Sequence, residues 1–326
     1  MQTRPLGKTG ERLSALGFGC MGLVGWYGER NDAEAAATLL AAVDGGVTHL
    51  DTAASYQVGE NEKFVGATLG ARRKEVFLAS KCGLAWKEGK LTIDNSPALI
   101  AASCEESLQR LRTDRLDLLY LHRIDRTTPI EESMGALAQL VKAGKIRHIG
   151  LSECSPETLR RACKVHPVAA VQMEYSVWFR GPEASMLPTC RELGVSFVAY
   201  SPLGRGFLAG NFRSLADLPK DDARRNQPRF VDGNVEHNVA IADAVRALAE
   251  RKGATPAQIA LAWLLAQGED LLPIPGTKRR ERQAENAGAV NVTLTGSELQ
   301  ELNAAVEKLS VKGDRYPPAM MSALNG

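Results

Sequence analysis

The stretch HLDTAASYQVGENE, residues 49–62, joins a short apolar run to an acidic segment that is typical of a helix start. This order predicts a strand, a loop and a helix, with Asp51 at the carboxyl end of the strand and Tyr56 in the loop behind it. Loops of this kind gather on the active face of parallel α/β sheets. The stretch therefore predicts a pocket that Asp51 and Tyr56 share.

The same alternation of strand and helix extends along the chain. Eight apolar runs, each followed by helical sequence, lie near Leu16, His49, Phe77, Leu118, Ile149, Val171, Val198 and Leu272. Ser96-Pro97 and Ser155-Pro156 supply helix starts, because a Ser cap is followed by Pro in the first turn. Eight strands with intervening helices are typical of a (β/α)8 TIM barrel. We therefore predict an α/β chain that forms one barrel domain over residues 1–326.

Three segments fall outside the eight units. Residues 3–14 are predicted to form two short strands around a tight turn that plugs the amino-terminal end of the barrel. The segment 205–234, rich in Pro, Asp and Arg, is long for an unstructured connection and is interpreted as a functional loop. After Gly296, an amphipathic helix with one apolar face is predicted to pack on the barrel exterior. That face carries Leu299, Leu302, Val306 and Leu309.

Residues 17–22, Gly-Phe-Gly-Cys-Met-Gly, match the G-x-G-x-x-G fingerprint of dinucleotide-binding folds. The fingerprint is convincing only where a helix opens inside it. Here helical sequence begins near Asp32, after Gly25 and Gly28, so the glycines are interpreted as a tight strand-to-loop turn. A doubly wound nucleotide-binding fold is accordingly disfavoured.

Composition narrows the partners. The chain has 44% hydrophobic and 24% charged residues and a formal charge of +2, which indicates a soluble protein with no nucleic-acid partner and no membrane partner. Its six cysteines include no CxxC pair and no Cys/His cluster, which predicts reduced thiols and no metal site. The amino terminus lacks an apolar signal core and no run approaches 18 apolar residues, so we expect a cytoplasmic protein.

Polar residues stand at the predicted carboxyl ends of successive strands: Asp51, Lys81, His122, Ser152, Gln172 or Glu174, and Tyr200. The Lys81 ammonium is expected to lower the pKa of Tyr56 because it favours the phenolate. Asp51 would hold that ammonium in place, and His122 would donate a hydrogen bond to a carbonyl oxygen. Each residue alone is more often a cap or a packing residue, and only their joint placement indicates catalysis. A barrel hydrolase would require a carboxylate pair or metal ligands, and the sequence offers neither.

These motifs together resemble the aldo-keto reductase family. The resemblance covers nearly the whole chain, through Leu16-Gly-Phe-Gly19, His49-Leu-Asp-Thr-Ala-x-x-Tyr56, Ser80-Lys81, Asp117-Leu-Leu-Tyr-Leu-His122, Gly150-Leu-Ser152, Tyr200-Ser-Pro-Leu-Gly204 and Pro275 to Asn286. It implies that Asp51, Tyr56, Lys81 and His122 are catalytic. It further implies that Tyr56 donates the proton when NADPH reduces an aldehyde or ketone to an alcohol, with no metal.

The resemblance also implies a binding site for NADPH/NADP+. Ser152 and Gln172 would bond the carboxamide, Tyr200 would stack on the nicotinamide, and the backbone of Ser201, Pro202, Leu203, Gly204, Arg205 and Gly206 would lie along the pyrophosphate. Gly276, Thr277, Lys278, Arg279 and Arg282 would surround the 2'-phosphate, with Glu285 and Asn286 at the adenine. Cations and free N–H groups at a helix start suit a phosphate, which favours NADPH over NADH. Without the upstream motifs, the three cations would be interpreted as a solvated helix face.

Substrate recognition is less determined. Gln57 stands where the family usually has Gly, which is expected to reshape the loop beside the pocket. Aromatic residues in loops after strands either line a pocket for an apolar carbonyl substrate or cover the barrel rim, and both alternatives stay open. They are Trp26, Tyr27, Trp86 and Trp178. The alternative function is an NADPH-binding, redox-sensing regulatory subunit of the same fold with slow turnover; the sequence sets neither the physiological substrate nor the oligomeric state.

Overall fold

The computed structural model describes residues 1–87, 90–324 and 326, without the side chains of residues 85–87, 90, 91 and 319. Its strands are β1 Thr3–Pro5, β2 Arg12–Ser14, β3 Phe18–Gly19, β4 His49–Asp51, β5 Phe77–Cys82, β6 Leu84–Lys87, β7 Lys90–Ile93, β8 Leu116–Leu121, β9 Ile146–Ser152, β10 Ala170–Glu174, β11 Ser196–Tyr200 and β12 Leu271–Pro273. Its α-helices are α1 Asp32–Asp44, α2 Glu60–Leu69, α3 Pro97–Leu111, α4 Ile130–Lys142, α5 Pro156–Val165, α6 Met186–Leu193, α7 Asn234–Lys252, α8 Pro256–Leu265, α9 Arg280–Ala287, α10 Gly296–Leu309 and α11 Pro318–Met321.

Eight of these strands form one parallel sheet in the order β3-β4-β5-β8-β9-β10-β11-β12. The sheet closes on itself, because the Gly17 N–H donates to the Pro273 carbonyl at 2.9 Å and the Gly19 N–H donates to the Pro275 carbonyl at 3.2 Å. The predicted (β/α)8 barrel is thus confirmed. Parallel strands place their carboxyl ends at one face, where active sites of such barrels lie.

Glycines at the seam permit this closure. A Cβ atom at Gly19 would lie 2.8 Å from the Ile274 carbonyl oxygen, and one at Gly276 would overlap the carbonyl oxygen of Gly19. A short 3₁₀ turn, Met21–Val24, follows β3, and the first α-helix begins only at Asp32. The G-x-G-x-x-G match therefore lies at a strand-to-loop turn, as expected, and does not open a dinucleotide-binding helix; its role in barrel closure was not predicted.

The helix starts read from the sequence are also observed. The side chains of Ser96 and Ser155 accept hydrogen bonds from backbone N–H groups three residues on, and Asn31 does the same for α1. Each cap satisfies a backbone donor that the first helical turn leaves without a partner. The antiparallel pair β6–β7 was not predicted, because its sequence does not alternate between apolar and polar residues as a half-buried strand does. Trp86 lies on β6, and its side chain is outside the described residues.

The two extra elements pack where the sequence predicts. Leu6 and Leu13 of the amino-terminal hairpin share one buried cluster with residues of the barrel interior such as Leu118 and Val198. The Gly7 N–H also donates to the Ser196 hydroxyl at 2.7 Å, which fixes the hairpin across the bottom of the barrel. On α10, Leu302 and Val306 are buried, and this helix packs against α7. Within the described residues, no helix combines the length and the apolar character needed to cross a membrane.

His49 is a buried polar group on β4. Neither ring nitrogen has a hydrogen-bond partner among the described residues, and the ring packs edge-on against Phe77 at 6.0 Å between centroids. Burial penalises the imidazolium and lowers the pKa of His49 to about 4. The neutral ring is therefore the form that the native core accepts.

The native state should lose stability as His49 is forced to take up a proton. A pKa of about 4 in the folded chain, against about 6.5 when unfolded, gives a contribution that is fully present above pH 6.5 and is lost as the pH falls through 6.5 towards 4. We expect His49→Leu to lower the difference in unfolding free energy between pH 7 and pH 4 by about 3 kcal/mol. Denaturant titrations at both pH values measure it. His166→Gln, at a partly exposed position, is the control; equal pH dependence in both variants would contradict the assignment.

Candidate active site

Lys81, on β5, is the centre of the predicted constellation and is 1% exposed. Its ammonium donates to Asp51 Oδ1 at 2.5 Å, to the Thr52 carbonyl at 2.8 Å and to the Tyr56 hydroxyl at 3.1 Å. Burial by itself would lower the pKa of Lys81, but the Asp51 carboxylate and the Tyr56 hydroxyl outweigh it, and the net pKa is raised. The ammonium is therefore charged, and all three of its protons are in use.

Asp51, at the end of β4, is held on both sides. Its Oδ1 accepts from Lys81, and its Oδ2 accepts from the Gln172 side-chain amide at 2.7 Å. Gln172 lies on β10, so this hydrogen bond crosses the barrel interior. The resemblance assigned Gln172 to the cofactor carboxamide, whereas its amide nitrogen here binds Asp51. One side-chain amide oxygen remains for another partner.

Tyr56 begins a short 3₁₀ segment directly after the β4 loop. Burial raises the pKa of its phenol, and the Lys81 ammonium opposes this rise without reversing it. The expected net lowering of the Tyr56 pKa is therefore wrong, because the sequence shows a cation nearby but not how little water would surround a phenolate. Since Lys81 donates to the phenolic oxygen, the Tyr56 hydroxyl proton is directed elsewhere.

His122 follows β8 and is buried beside Tyr56, with the two rings edge-on at 5.7 Å between centroids. Its Nδ1 lies 3.2 Å from the Ser55 hydroxyl oxygen. Burial, Arg123 and Lys81 all lower the pKa of His122 well below its usual value. The ring is therefore neutral at pH 7, so one nitrogen is a donor and the other an acceptor. The structure thus brings Asp51, Tyr56, Lys81 and His122 together, as the sequence predicts.

The departure at Gln57 has a backbone explanation. Gln57 and Val58 both adopt left-handed conformations, with φ of 47° and 52°. Gly has no penalty in this region, whereas a β-branched Val is strained there. The Gln57 amide lies against Gly25, where a Cβ atom would be 2.8 Å from its nitrogen. The turn behind Tyr56 therefore carries strain next to the loop of residues 25–30.

A buried ionic cluster at the carboxyl face was missed by the sequence analysis. Arg315 donates to both carboxylate oxygens of Glu153, to Glu174 at 3.1 Å and to the Tyr200 hydroxyl at 2.8 Å. The Tyr200 hydroxyl also donates to Glu153 at 2.8 Å and lies 2.9 Å from the Tyr316 hydroxyl. No local signal links positions 153 and 315, which are 162 residues apart. The cluster fixes Tyr200, whose ring the resemblance places at the nicotinamide.

The segment 205–234 covers this face. Arg229 donates to Glu174 at 2.6 Å, and Asp222 accepts from the Gly28 N–H at 3.2 Å, which ties the segment to the loop of residues 25–30. Arg205, within the predicted pyrophosphate stretch, donates to Gln227 at 2.6 Å and to the Arg315 carbonyl at 3.2 Å. The segment is therefore held in place at the predicted site by specific hydrogen bonds and an ion pair, as a functional loop would be and a linker would not.

The aromatic candidates separate by burial. Trp178 is 4% exposed and stacks on Phe207 at 5.0 Å between centroids, so packing beneath the 205–234 segment explains it better than a pocket wall. Tyr27 is half-buried under the Arg224 guanidinium at 5.1 Å. Trp26 is 44% exposed, with φ of 76°. Of the described candidates, Trp26 therefore offers the most uncovered ring.

The three cations assigned to the 2'-phosphate are not equivalent. Lys278 donates to the carbonyls of Tyr27, at 2.6 Å, and Glu29, and Arg282 pairs with Glu285 at 2.8 Å. Arg279, the residue before α9, is exposed and forms no ion pair with any described residue. Thr277 accepts from the Arg279 N–H at 3.2 Å, and Asn286 is buried on α9. An open guanidinium at a helix start fits a phosphate, so this site suits the cofactor that the motifs imply.

No cluster of His, Cys, Asp and Glu side chains within the described residues could hold a metal ion. The six cysteines are free, and burial raises the pKa of the Cys20 and Cys82 thiols. Both thiols are therefore held in the protonated form, which is a poor nucleophile.

Comparison with known proteins agrees with this geometry. The model of the aldo/keto reductase family matches residues 15–307. A curated relative, the aldo-keto reductase yakc [NADP(+)] of Schizosaccharomyces pombe, is 44% identical over 99% of this chain and 96% of its own length. The solved structure of the glycerol dehydrogenase AKR11B4 from Gluconobacter oxydans superposes with a TM-score of 0.86 at 31% identity, covering 97% of this chain and 98% of that one. The holo form of AKR11C1 from Bacillus halodurans gives 0.78 at 29% identity, over 98% and 99%.

Removal of the Arg315 guanidinium should destabilise the protein strongly. Arg315→Met leaves Glu153 and Glu174 buried with part of their compensating charge gone, and we expect a loss of about 3–5 kcal/mol in unfolding free energy. Denaturant titration measures it. Arg251→Met, which breaks an exposed pair with Glu301, should cost less than about 1 kcal/mol. Similar small losses in both variants would show that the cluster is not held as the structure indicates.

Proposed function

This chain belongs to the aldo/keto reductase family and is an NADP-dependent oxidoreductase, and from that premise we propose that it reduces an aldehyde or ketone to an alcohol with Tyr56 as proton donor. One observation carries the proposal. The Lys81 ammonium, already bound to Asp51 and Thr52, gives its third N–H to the Tyr56 oxygen at 3.1 Å. The phenolic proton is then the group left for a substrate oxygen.

The chemistry divides between cofactor and protein. NADPH, when bound, supplies a hydride for the carbonyl carbon. Tyr56 gives its proton to the carbonyl oxygen, where negative charge develops, and becomes a phenolate. Lys81 stabilises that phenolate, because its ammonium is already directed at the phenolic oxygen. Tyr56 then recovers a proton from solvent, which completes the balance of one hydride and one proton per alcohol.

The raised pKa of Tyr56 suits this direction of reaction. A donor must carry its proton before the step, and burial keeps the phenol protonated at neutral pH. Lys81 lowers the cost of losing the proton at the moment of transfer, when the charge appears. Burial and the ammonium thus act on different states of the same hydroxyl.

His122 is proposed to orient the carbonyl. With a neutral ring, a Ser55 hydroxyl that donates to Nδ1 leaves the Nε2–H as the donor towards the pocket. Two donors, Tyr56 and His122, would then converge on one oxygen. Asp51 acts only through Lys81, so it is a positioning residue.

The cofactor residues follow as proposals. Ser152, the last residue of β9, and Tyr200, fixed by Arg315, would hold the nicotinamide end of the cofactor. The backbone of residues 201–206 and the Arg205 side chain would lie at the pyrophosphate. Arg279 and Arg282 would meet the 2'-phosphate, with Asn286 at the adenine; their support is the open guanidinium and the helix start described above.

Tyr56→Phe should slow reduction strongly, because within the described part of the chain no other hydroxyl receives the Lys81 hydrogen bond. We expect kcat for aldehyde reduction to fall by about 10²–10⁴, while the dissociation constant of NADPH changes little. NADPH absorbance reports the rate, and quenching of tryptophan fluorescence reports binding. Tyr175→Phe, whose hydroxyl binds Glu183 at 2.7 Å away from Lys81, is the control. Retained turnover would remove Tyr56 from its role, and absence of multiple turnover by the natural protein on aromatic and aliphatic aldehydes would contradict the proposed function.

Arg279→Ala and Arg282→Ala should weaken NADPH binding more than NADH binding, since only NADPH carries the 2'-phosphate. We expect a loss of at least about tenfold for NADPH in one or both variants, from the strength of guanidinium–phosphate hydrogen bonds. Arg280→Ala is the matched control, because Arg280 is the neighbouring residue and already pairs with Glu34. An equal loss of both cofactors in the first two variants would contradict the 2'-phosphate assignment.

A further inference from the structure

Arg123 is a cation at the candidate active site that the catalytic scheme does not use. It follows His122 directly, after β8, and is partly buried. Its Nη1 donates to the His122 carbonyl at 2.6 Å and, weakly, to the Ser152 hydroxyl at 3.4 Å. The guanidinium therefore lies across the carboxyl ends of the neighbouring strands β8 and β9, at the mouth of the barrel.

The charge of Arg123 acts on the catalytic groups. It lowers the pKa of both Tyr56 and His122, and it lies within electrostatic range of Tyr200 and Tyr316. The Arg123 guanidinium thus lies between Tyr56 and His122 on one side and Tyr200 and Tyr316 on the other. A ligand whose carbonyl reaches Tyr56 and His122 would extend past this guanidinium.

Arg123 has no carboxylate partner among the described residues. Two other arginines of this face, Arg229 and Arg315, each pair with buried Glu side chains. Glu153, an acidic residue whose charge acts on Arg123, is already engaged by Arg315 and Tyr200. Burial lowers the pKa of Arg123, but Tyr200, Tyr316 and Glu153 outweigh it and the net pKa is raised, so the guanidinium is charged. It has no direct ion pair with a described residue, so it can still take a carboxylate as its partner.

The unused donors have a defined geometry. A guanidinium carries five N–H groups, and only those on Nη1 have partners among the described residues. Nε and Nη2 form the planar edge that binds a carboxylate through two parallel hydrogen bonds. A neutral amide, such as the cofactor carboxamide, would satisfy hydrogen bonds but would leave the charge unpaired.

We propose that Arg123 binds a carboxylate on the carbonyl substrate, so that the substrate class is an oxo acid. This inference rests on the proposed function. The carboxylate takes no part in the bond changes: the carbonyl gains one hydride and one proton, and the product is the corresponding hydroxy acid. Arg123 contributes to substrate binding and specificity.

The test compares carbonyl substrates in which a carboxylate is replaced by its uncharged methyl ester. Benzoylformate is paired with methyl benzoylformate, and 4-carboxybenzaldehyde with methyl 4-formylbenzoate. We expect the natural protein to favour the acid over the ester in kcat/KM by about tenfold or more in at least one pair. Arg123→Met should remove that ratio, and Arg123→Lys should restore part of it, because Lys keeps the charge but not the planar edge. The dissociation constant of NADPH should stay within about twofold.

Arg126→Met is the control, since Arg126 is in the same loop and donates a hydrogen bond to the Leu324 carbonyl at 3.2 Å. It should keep the acid-to-ester ratio of the natural protein. No preference for the acid in either pair, or a loss in Arg123→Met that is equal for acid and ester and is accompanied by weaker NADPH binding, would overturn the inference while leaving the proposed function in place.

A binding measurement separates the two hypotheses further. Benzoylformate is titrated calorimetrically into the NADP+ complex, where no reduction occurs. We expect binding that is at least about tenfold weaker in Arg123→Met. If the natural protein turns over no carbonyl compound, the proposed function fails. The oxo-acid assignment fails if benzoylformate binds the natural protein and Arg123→Met equally, or binds neither.

Discussion

The buried ammonium of Lys81 is the constraint on which the active site depends. An unpaired charge in a barrel interior costs several kcal/mol, so Lys81 is tolerable only with Asp51 at 2.5 Å and the Thr52 carbonyl at 2.8 Å. Asp51 is in turn held by Gln172 from β10, across the interior. Lys81 and Asp51 lie on the adjacent strands β5 and β4, whereas Gln172 lies on β10, so the complete set of hydrogen bonds forms only when β10 faces β4 across the barrel. The geometry of the candidate site therefore depends on the folded barrel.

In the proposed reaction, the same ion pair would let the Tyr56 phenol act as an acid near neutral pH. Burial alone would make Tyr56 a very weak acid, whereas a nearby ammonium by itself favours the phenolate. The structure combines the two effects: burial keeps the proton in the ground state, and Lys81 stabilises the charge that its loss creates. The net pKa of the resting chain is thus a poor guide to the transition state, where the charge has moved onto the phenolic oxygen.

The sequence predicts what is local and periodic. The Ser96 and Ser155 caps, the eight apolar runs and the order Asp51, Lys81, His122 on successive strands follow from short-range signals, and the fold follows from their sum. The Arg315 cluster does not, because its partners lie on separate strands and only the folded chain joins them. The direction in which the Tyr56 pKa is shifted depends on how deeply the phenol is buried, and no sequence motif gives that burial. The sequence shows that Gln57 departs from the family's usual Gly. Only the structure shows that Gln57 and the 67% exposed Val58 both adopt a left-handed backbone conformation.

Ion pairing divides the arginines of the carboxyl face by role. Arg229 and Arg315 are paired with Glu174 and Glu153, so their charges are spent on fixing Tyr200 and the 205–234 segment. Arg123 and Arg279 have no acidic partner among the described residues, although both lie where a ligand is expected. The Arg123 site is partly buried and Arg279 is exposed, and neither guanidinium forms an ion pair with a described residue that would stabilise the fold. The distribution of partners, rather than the presence of Arg itself, therefore distinguishes the cations that hold the structure from those that we propose bind substrate and cofactor.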